Sequence, residues 1–553
     1  MVVLSGRRSY VPLDARTMSP KLRHLALLVL LCVLLGWWLG RGMRPDAPPR
    51  SATTVEAPAQ SPRYRPLAPK KPVIPLADQS PSTDRFPDGT TIEIFASSQP
   101  DQIILRFPSA DTYGSFITAV RSSKVRLAGK EDRLCALRVA FDNFADLDAL
   151  LDDENVTHYT SLPDFPSPPA HQAVQRGLLG FGDQAPAWLG VTGDHSRWGA
   201  GVRIAIIDGG VVGHPGLPRV EESVDVTPDA GNPSAPVDHG TAVASIISGT
   251  NPRSPGIAPA ATLISIRVVD GTLRSDSLSF ASGLLAAVDH RAHLVNVSMG
   301  TSEDNPLIRE AVEMVQRSGA VIIAAAGNSA LEQAAYPAAY PGVISVGAVD
   351  ARGTQVEFSN YADMLSITAP GYAVNAAATG GNYVRMSGTS ASAPFVTGAI
   401  AAIMSTSPTA LPPRQAAEIV MDHSDEAGIP GPDSQYGSGI LNIRRIMSRN
   451  QPGIVDVAVT HQSFSASSSQ LAVTLQNRGT KPLVNLLLET TSAGGSNRMN
   501  IDSLAPNGVR TFTLPIAPGR QSPFQVTTTV DTGTNGVDVR PTDNTAAATF
   551  PLK

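Results

Sequence analysis

The chain has 553 residues, of which 42% are hydrophobic and 16% are charged, so a wholly disordered chain is excluded. At roughly 150 residues per domain, this length predicts three or four domains. The net charge of −5 gives no polybasic signature, which argues against nucleic-acid binding as the main activity. Two cysteines exclude a disulfide scaffold and cysteine-rich zinc modules.

An apolar run without any charge, LALLVLLCVLLGWWL, occupies residues 25–39 and follows a basic N-terminal stretch. The run is short for a membrane span and suits a signal-peptide core, but no A-x-A cleavage pattern follows it. Trp37 and Trp38 suit a membrane interface, and the preceding positive charge predicts a cytoplasmic N-terminus. We therefore expect residues 1–44 to form a cytoplasmic basic segment and a signal anchor in the cell membrane. The alternative is a cleaved signal peptide and a secreted or periplasmic protein; a core helix is disfavoured because the run has no polar face.

Residues 45–165 divide into a linker and a small α/β unit. Residues 45–84 are rich in Pro, Ala and Ser, a composition typical of an extended tether. Residues 85–165 predict the order βαββαβ, with strands at 102–107, 125–127, 134–141 and 156–162. This split-βαβ arrangement serves many functions and by itself identifies none.

Residues 200–447 predict a doubly wound, mainly parallel α/β sheet. The strand candidates are apolar almost throughout, as strands covered on both faces should be, and helical patterns separate most of them. These candidates are residues 202–208, 262–269, 293–299, 321–327 and 343–349.

Residues 451–553 change character and predict an antiparallel β-sandwich. Short runs rich in Val, Leu and Thr recur about every ten residues, and turn sequences such as NRGTKP and APNG separate them. We find no metal-ligand cluster or nucleophile in this part of the sequence.

Three segments of the α/β region carry residues suited to nucleophilic catalysis. IAIIDGG places Asp208 at the C-terminal end of a strand, where ligands bind in open α/β sheets. DHGTAVASIISG places His239 at a helix start, and MSGTSASAPFVTG places Ser390 just before a helix of small apolar residues. Each residue alone is commonly structural, since serine is an ordinary N-cap and histidine at a helix start is often a packing residue.

Together the three residues fit one mechanism. A serine hydroxyl is a weak nucleophile and needs a base within hydrogen-bond reach, and histidine titrates near neutral pH. A carboxylate would fix the histidine tautomer, and a helix start would offer backbone N–H groups to an oxyanion. A G-x-S-x-G esterase turn is excluded because Ser392, not glycine, follows Ser390 by two residues.

These motifs resemble the three signatures of the subtilisin-like serine protease (subtilase) family, in that family's order Asp, His, Ser. The matches are IAIIDGGV, HGTAVASIISG and GTSASAPFVTG, and the resemblance covers about residues 180–447. A fourth match, AAAGN, implies that Asn328 donates its side-chain amide to the oxyanion hole. The resemblance implies a subtilisin-like peptidase domain at 166–450 and a serine endopeptidase that forms an acyl-enzyme. Two positions depart from the family pattern: Gly209 replaces the usual Thr or Ser, and Ala391-Ser392 replaces the usual Met-Ala.

The resemblance also implies where the substrate lies. An extended substrate strand would pair with Ser298, Met299 and Gly300, and Ala325 and Gly327 would belong to the opposite wall of the primary pocket. Small residues in that wall favour an apolar side chain of medium or large size. The alternative is that NVSMG and AAAGN are only tightly packed strand ends.

The resemblance extends to the flanking domains and leaves alternatives open. It implies that residues 85–165 are an inhibitory propeptide cleaved within 163–185; a permanent accessory domain is the alternative. Residues 451–553 resemble bacterial Ig-like adhesion modules, which bind a surface ligand or only stabilise the enzyme. No cofactor and no metal are expected, because no compact Asp/Asn run typical of a calcium site is present. The competing function is a catalytically silent binding or adhesion protein on the same fold.

Overall fold

The computed structural model describes residues 91–99, 101–151, 155–159, 177–228, 238–517 and 522–551. All of these belong to one compact unit, Pro75–Lys553. The predicted membrane segment at residues 25–39 and the linker at 45–84 lie outside the described residues. Within the described part of the chain, no helix combines the length and the apolar character needed to cross a bilayer.

The first domain is a five-stranded sheet with two helices on one face. Its elements are β1 (Thr91–Ala96), β2 (Gln102–Arg106), α1 (Ala110–Arg121), β3 (Arg126–Glu131), β4 (Ala136–Ala140), α2 (Phe144–Leu151) and β5 (Asn155–Tyr159). The strand order is β3-β4-β2-β1-β5, and only β1 and β5 run parallel. The first strand, TIEIFA, was not among the predicted elements, so the sheet has one strand more than expected.

The two faces of this small sheet contact different partners. Side chains such as Ile103 and Leu105 pack under α1 and α2 in the core of the domain itself. The alternate residues Phe95 and Ile104, together with Leu134, join the apolar core of the next domain instead. Because successive side chains of a strand point to opposite faces, the sheet is buried on both sides only while the domains are together.

The second domain is built on a seven-stranded parallel sheet in the order β14-β13-β12-β11-β6-β10-β7. The strands of this sheet are β6 (Arg203–Asp208), β7 (Glu222–Asp225), β10 (Thr262–Arg267), β11 (Leu294–Val297), β12 (Val321–Ala325), β13 (Ile344–Val349) and β14 (Ile367–Pro370). The helices are α3 (Ala185–Trp188), α4 (Asp238–Ser248), α5 (Ser277–Asp289), α6 (Pro306–Arg317), α7 (Thr389–Thr406), α8 (Pro413–Asp422) and α9 (Ile443–Ser448). Two short hairpins complete it: β8 (Thr250–Asn251) with β9 (Ser254–Pro255), and β15 (Val374–Ala378) with β16 (Asn382–Met386). The doubly wound, mainly parallel fold class predicted from the sequence is confirmed.

Helices cover both faces of this sheet. Ile204 and Ile206 of β6 face one apolar core, which also contains residues of α4, α7 and α8, whereas Ala205 and Ile207 face a second core with α5 and α6. Helix α7 packs closely because it is built from small residues. A Cβ atom at Gly398 would lie 2.7 Å from the Cβ atom of Ile257, closer than real Cβ atoms approach.

The third domain is a sandwich of a three-stranded sheet, β17-β18-β21, and a four-stranded sheet, β20-β19-β22-β23. The strands are β17 (Val457–Ser465), β18 (Gln470–Asn477), β19 (Leu483–Ser492), β20 (Gly495–Leu504), β21 (Val509–Pro515), β22 (Phe524–Asp531) and β23 (Thr545–Phe550). All of its strand pairs are antiparallel, as predicted. Strand β20, whose sequence is GSNRMNIDSL, was not predicted because it is mostly polar.

A buried charged network joins the second domain to the sandwich. Asp425, which follows α8, contacts Arg445 of α9 at 3.3 Å and the sandwich residues Arg478 at 3.4 Å and Arg540 at 3.2 Å. Burial alone would raise the pKa of Asp425, but the three arginines outweigh it and hold this pKa well below its usual range. The sandwich is therefore fixed to the second domain by charges that would be left unpaired without it.

Candidate active site

Asp208 and His239 form a buried pair at the carboxyl edge of the parallel sheet. Asp208 is the last residue of β6, and His239 lies in the first turn of α4. The Nδ1 atom of His239 lies 2.9 Å from Oδ2 and 3.0 Å from Oδ1 of Asp208, and the side chains are only 3% and 2% exposed. A carboxylate accepts hydrogen bonds, so the contact places a proton on Nδ1 and leaves Nε2 as the acceptor of the neutral ring. This arrangement suits a base oriented by a carboxylate.

Gly240 allows helix α4 to approach the end of β6. A Cβ atom at Gly240 would lie 2.2 Å from the carbonyl oxygen of Gly210 and 3.2 Å from Oδ1 of Asp208. The backbone N–H of Gly209 donates to Oδ1 of Asp208 at 2.7 Å. The contact made by Gly209 is through its backbone, so the departure from the family pattern at this position leaves the carboxylate anchored.

Ser390 lies in the first turn of α7, two residues after the N-cap Gly388. Gly388 has a φ of 136°, a conformation that only glycine adopts readily. The Oγ atom of Ser390 and the Nε2 atom of His239 are both buried, and neither makes a hydrogen bond with any described residue. The serine hydroxyl and Nε2 of the histidine are thus both available for hydrogen bonding. Hydrogen bonds between such groups are often long or poorly aligned in a free enzyme and shorten when substrate binds.

Asn328 follows strand β12 and presents its amide on the same side as Ser390. A Cβ atom at Gly388 would lie 3.0 Å from Oγ of Ser390 and 3.1 Å from Nδ2 of Asn328, so the two groups border one small space. Oδ1 of Asn328 accepts hydrogen bonds from the backbone N–H of Thr389 at 2.8 Å and from its hydroxyl at 3.0 Å. These two bonds occupy the oxygen and leave the Nδ2 donor for a developing oxyanion.

Ser298 connects strand β11 to the serine helix. Its hydroxyl donates to the carbonyl oxygen of Ser390 at 3.0 Å and accepts from Nδ2 of Asn296 at 2.8 Å. The hydroxyl of Thr397, about two turns further along α7 than Ser390, donates to Oδ1 of Asn296 at 2.9 Å. This buried chain holds the first turn of α7 against the end of β11.

The other predicted substrate-binding residues lie at the ends of β11 and β12. Met299 and Ala325 are buried, with exposures of 4% and 5%, and Gly300 and Gly327 are partly exposed. A Cβ atom at Gly300 would lie 2.7 Å from the carbonyl oxygen of Tyr336, and one at Gly327 would lie 2.3 Å from Nδ2 of Asn360. Both glycines are therefore required by close packing, whatever their role toward a substrate.

Ser392, which lies two residues after Ser390, and His214, which follows β6, both have structural contacts. Ser392 Oγ donates to the carbonyl oxygens of Ala369 at 3.1 Å and Pro370 at 3.2 Å, which ties α7 to β14. In the 214–216 loop, Nδ1 of His214 accepts from the backbone N–H of Gly216 at 2.9 Å. Both side chains stabilise the backbone around the site.

The sequence analysis did not single out three residues of this site: Thr389, Asn296 and Thr397. Thr389 lies inside the G-T-S motif, so its position was visible, but its bond to Asn328 depends on the packing of α7 beside β12. Asn296 and Thr397 are 101 positions apart, and no local pattern indicated their contact.

One acidic cluster in the described residues has the spacing of a metal site, and it surrounds an arginine. Oxygen atoms of Asp456, Asp538 and Asp543 lie within 4.8 Å of one another. Arg540 contacts all three: Nε lies 3.2 Å from Asp456, Nη2 lies 3.4 Å from Asp543, and the backbone N–H donates to Asp538 at 2.7 Å. We therefore assign these carboxylates to the network that joins the sandwich to the second domain.

Comparisons with known proteins identify relatives of this chain. The model of the Subtilase family matches residues 199–439. The thermostable alkaline protease of Halalkalibacterium halodurans is 32% identical over 255 residues, which cover 45% of this chain and 69% of that protein. Subtilisin BL of Lederbergia lenta is 32% identical over 263 residues, which cover 47% of this chain and 94% of that protein. A solved structure, a serine-to-alanine mutant of the protease domain of PatA, is 28% identical with a TM-score of 0.43 and covers 46% of this chain and 97% of that one.

The chain belongs to the subtilase family. It is a serine endopeptidase, and its substrates are proteins or peptides.

Proposed function

We propose that Ser390, His239 and Asp208 form the catalytic triad and that the oxyanion is held by Asn328 and the backbone N–H of Ser390. The observation that carries this proposal is the buried contact between Asp208 and His239 Nδ1, together with the shared space of Ser390 Oγ and Asn328 Nδ2 beside Gly388. Each of the four side chains has the chemistry that its role requires.

The hydrolysis proceeds in two halves. Ser390 Oγ attacks the peptide carbonyl carbon while His239 Nε2 accepts the hydroxyl proton, and Asp208 stabilises the resulting imidazolium. The carbonyl oxygen becomes an oxyanion held by Nδ2 of Asn328 and by the N–H of Ser390, which lies in the first turn of α7, where N–H groups lack intrahelical partners. His239 then gives its proton to the leaving amine, and an acyl-enzyme remains on Ser390. A water molecule, deprotonated by His239, releases the acid product and restores the serine.

A phosphonate probe that reacts with activated serines tests the assignment of the nucleophile. We expect one adduct per chain, located on the peptide that contains Ser390. We expect no adduct in Asp208→Asn, because a neutral amide neither fixes the tautomer of His239 nor stabilises its imidazolium. A folded wild-type sample that resists the probe would favour the alternative of a catalytically silent binding protein.

We further propose that residues 85–165 are a removable propeptide and that 166–450 and 451–553 are the peptidase domain and the sandwich. Backbone contacts narrow the cleavage region at its C-terminal end: Ala351 N–H donates to the carbonyl of Leu179 at 2.8 Å, and Gly182 N–H donates to the carbonyl of Ala373 at 2.8 Å. Residues from 179 onward are thus part of the peptidase fold, which supports cleavage before this point. Intact-mass analysis of the wild type and of Ser390→Ala should show loss of the N-terminal piece in the wild type alone. A permanent accessory domain would remain attached in both proteins.

The cellular location of the enzyme is inferred from its sequence alone. We propose export of the catalytic domain, with residues 1–44 as a signal anchor or, alternatively, as a cleaved signal peptide. Fractionation of cells expressing the full chain would separate the two, because an anchored enzyme stays with the membrane at high salt and a processed one does not.

A further inference from the structure

Helix α5 begins with a carboxylate that serves both the helix and the first domain. Asp276 is the N-cap of α5, and its Oδ1 accepts from the backbone N–H of Ser279 at 2.8 Å. Asp276 is 0% exposed and Ser279 is 1% exposed, so both side chains are buried while the first domain covers them. A buried carboxylate needs a cationic partner in addition to the helix cap.

That partner is the guanidinium of Arg138, from strand β4 of the first domain. Its Nη2 atom lies 2.8 Å from each carboxylate oxygen of Asp276 and 2.7 Å from Oγ of Ser279. Arg138 is 2% exposed, and its Nε–H is buried without an acceptor among the described residues. Each carboxylate oxygen of Asp276 and the hydroxyl of Ser279 thus accepts a hydrogen bond from Arg138, whereas the Nε–H of Arg138 has no acceptor in the part of the chain that the structure describes. This unpaired donor weakens the binding of the first domain to the second.

Two further ion pairs between the domains have the same distribution of charge, with the cation in the first domain and the acid in the second. Arg133 of the first domain pairs with Asp289 at the end of α5 at 2.9 Å, and Arg106 pairs with Glu310 of α6 at 2.5 Å. In these three pairs the first domain supplies the cation and the peptidase helices supply the acid. Apolar side chains of α5 and α6 lie between the acids and pack against the first domain. The face that the first domain covers is therefore acidic and apolar, with one preformed guanidinium site.

We infer that, after the first domain leaves, the site formed by Asp276 and Ser279 binds an arginine side chain of the protein substrate, as an exosite separate from Ser390. The inference rests on the proposed removal of residues 85–165. A planar guanidinium that donates to a carboxylate and a hydroxyl is recognised by directed, charge-assisted hydrogen bonds. The site also lies on the correct edge of the sheet. Strand β10 pairs in parallel with β6, with Arg267 opposite Asp208, and Asp276 follows the end of β10 by nine residues, at the start of the next helix. Asp276 therefore lies at the same carboxyl edge of the sheet as Asp208.

The test compares β-casein with citrullinated β-casein, in which each guanidinium is replaced by a neutral ureido group. For the processed wild-type enzyme we expect citrullination to raise KM three- to tenfold. In Asp276→Asn the ratio of the two KM values should fall to about one. Asparagine still caps α5 through Oδ1, but its amide group cannot attract a guanidinium. Glu313→Gln, an exposed acid elsewhere on α6, should keep the wild-type ratio. Acetylation of the lysines of β-casein leaves every guanidinium intact, so it should change KM by the same factor in the wild type and in Asp276→Asn.

Ser279→Ala provides a second variant if Asp276→Asn does not fold, and it should lower the ratio partially. An equal ratio in the wild type and in Asp276→Asn would overturn the exosite, as would a wild type that does not distinguish the two caseins. Retention of the first domain in the active enzyme would also overturn it, because Arg138 would then keep the site filled. A short arginine-free peptide separates the two proposals: its cleavage by the wild type supports the catalytic assignment even where the exosite fails.

Discussion

The side-chain amide of Asn328 owes its orientation to one neighbouring residue. The hydroxyl of Thr389 donates to Oδ1 of Asn328 at 3.0 Å and accepts from the backbone N–H of Gly327 at 3.1 Å. The amide oxygen is thereby engaged, and Nδ2 faces the space beside Ser390. The proposed oxyanion donor is thus positioned before a substrate arrives, which is the condition for electrostatic catalysis.

Removing the amide donor should lower catalysis strongly, and removing only its orientation should lower it less. Asn328→Ala should reduce kcat by about 10² to 10³, a range taken over from subtilisin rather than derived from this structure. Thr389→Val keeps the shape of residue 389 but loses the hydroxyl, so we expect a smaller fall in kcat with KM little changed. Thr389→Ser retains the hydroxyl and should restore most of the rate. Steady-state kinetics on one peptide substrate would measure all three, and equal rates for Thr389→Val and the wild type would contradict the orienting role.

The chemistry of the individual residues was more predictable than their contacts. Asp208, His239 and Ser390 were found from short motifs because each motif joins a reactive residue to a strand end or a helix start. The link from Thr397 through Asn296 and Ser298 to Ser390 depends on how α7 crosses β11, and no local pattern contains that information.

At the scale of the secondary-structure elements, helix α7 depends on small residues for its packing. Gly398 lies in its interior, where a Cβ atom would come within 2.7 Å of Ile257. Gly114 of helix α1 offers a matched comparison, since a Cβ atom there would meet nothing within 4 Å. The same glycine-to-alanine change should therefore have opposite effects in the two helices.

We expect Gly398→Ala to destabilise the protein by about 1–3 kcal/mol, because overpacking outweighs the better helix propensity of alanine. Gly114→Ala should instead stabilise its domain by about 0.5–1 kcal/mol. Denaturant unfolding monitored by circular dichroism would compare each variant with the wild type. Stabilisation by Gly398→Ala would show that α7 is packed more loosely than described.

Most apolar strands were predicted, although β1 (TIEIFA) was missed, and polar or very short strands were not. Strands β6, β10, β11, β12 and β13 are buried on both faces and read as continuous apolar runs. Strand β7, ESVD, and strand β20 take part in sheets through backbone bonds, although their side chains are largely polar. Strand β14 has only four residues, ITAP, and ends in proline.

At the scale of the whole molecule, the network at the sandwich makes stability depend on pH. Burial raises the pKa of Glu426, next to Asp425, to about 7, with the nearby Asp433 adding to the shift and the N–H of Gly431 opposing it. Burial likewise raises the pKa of Asp456 to about 6. Unfolding returns each group to its ordinary value near 4, so the folded protein binds more protons between these values. With respect to these groups, stability is therefore greatest below about pH 4 and is lost as the pH rises to about 7.

Glu426→Gln should remove part of this dependence. Glutamine keeps the acceptor for the N–H of Gly431 but carries no ionisable group, so the variant should exceed the wild type by about 1–3 kcal/mol at pH 8 and match it near pH 4.5. Thermal unfolding midpoints between pH 5 and 8 would measure the difference. Parallel pH profiles for the two proteins would mean that Glu426 ionises freely in the folded state.

The same network bears on the role of the sandwich. Asp425 and Arg445 of the peptidase domain are buried against Arg478 and Arg540 of the sandwich, and unpaired buried charges are strongly destabilising. This contact supports the stabilising role that the sequence left open beside ligand binding. The sequence indicated a sandwich but not its attachment, because the paired charges are distant along the chain.

The central claim is that Ser390 is the nucleophile, and two neighbouring serines test it most directly. Ser390→Ala and Ser392→Ala make the same small change in the first turn of α7, and both side chains are buried. Hydrolysis of a peptide substrate should be abolished in Ser390→Ala, whereas Ser392→Ala, which loses only bonds to Ala369 and Pro370, should retain measurable turnover. Turnover in Ser390→Ala at the rate of the wild type would contradict the account.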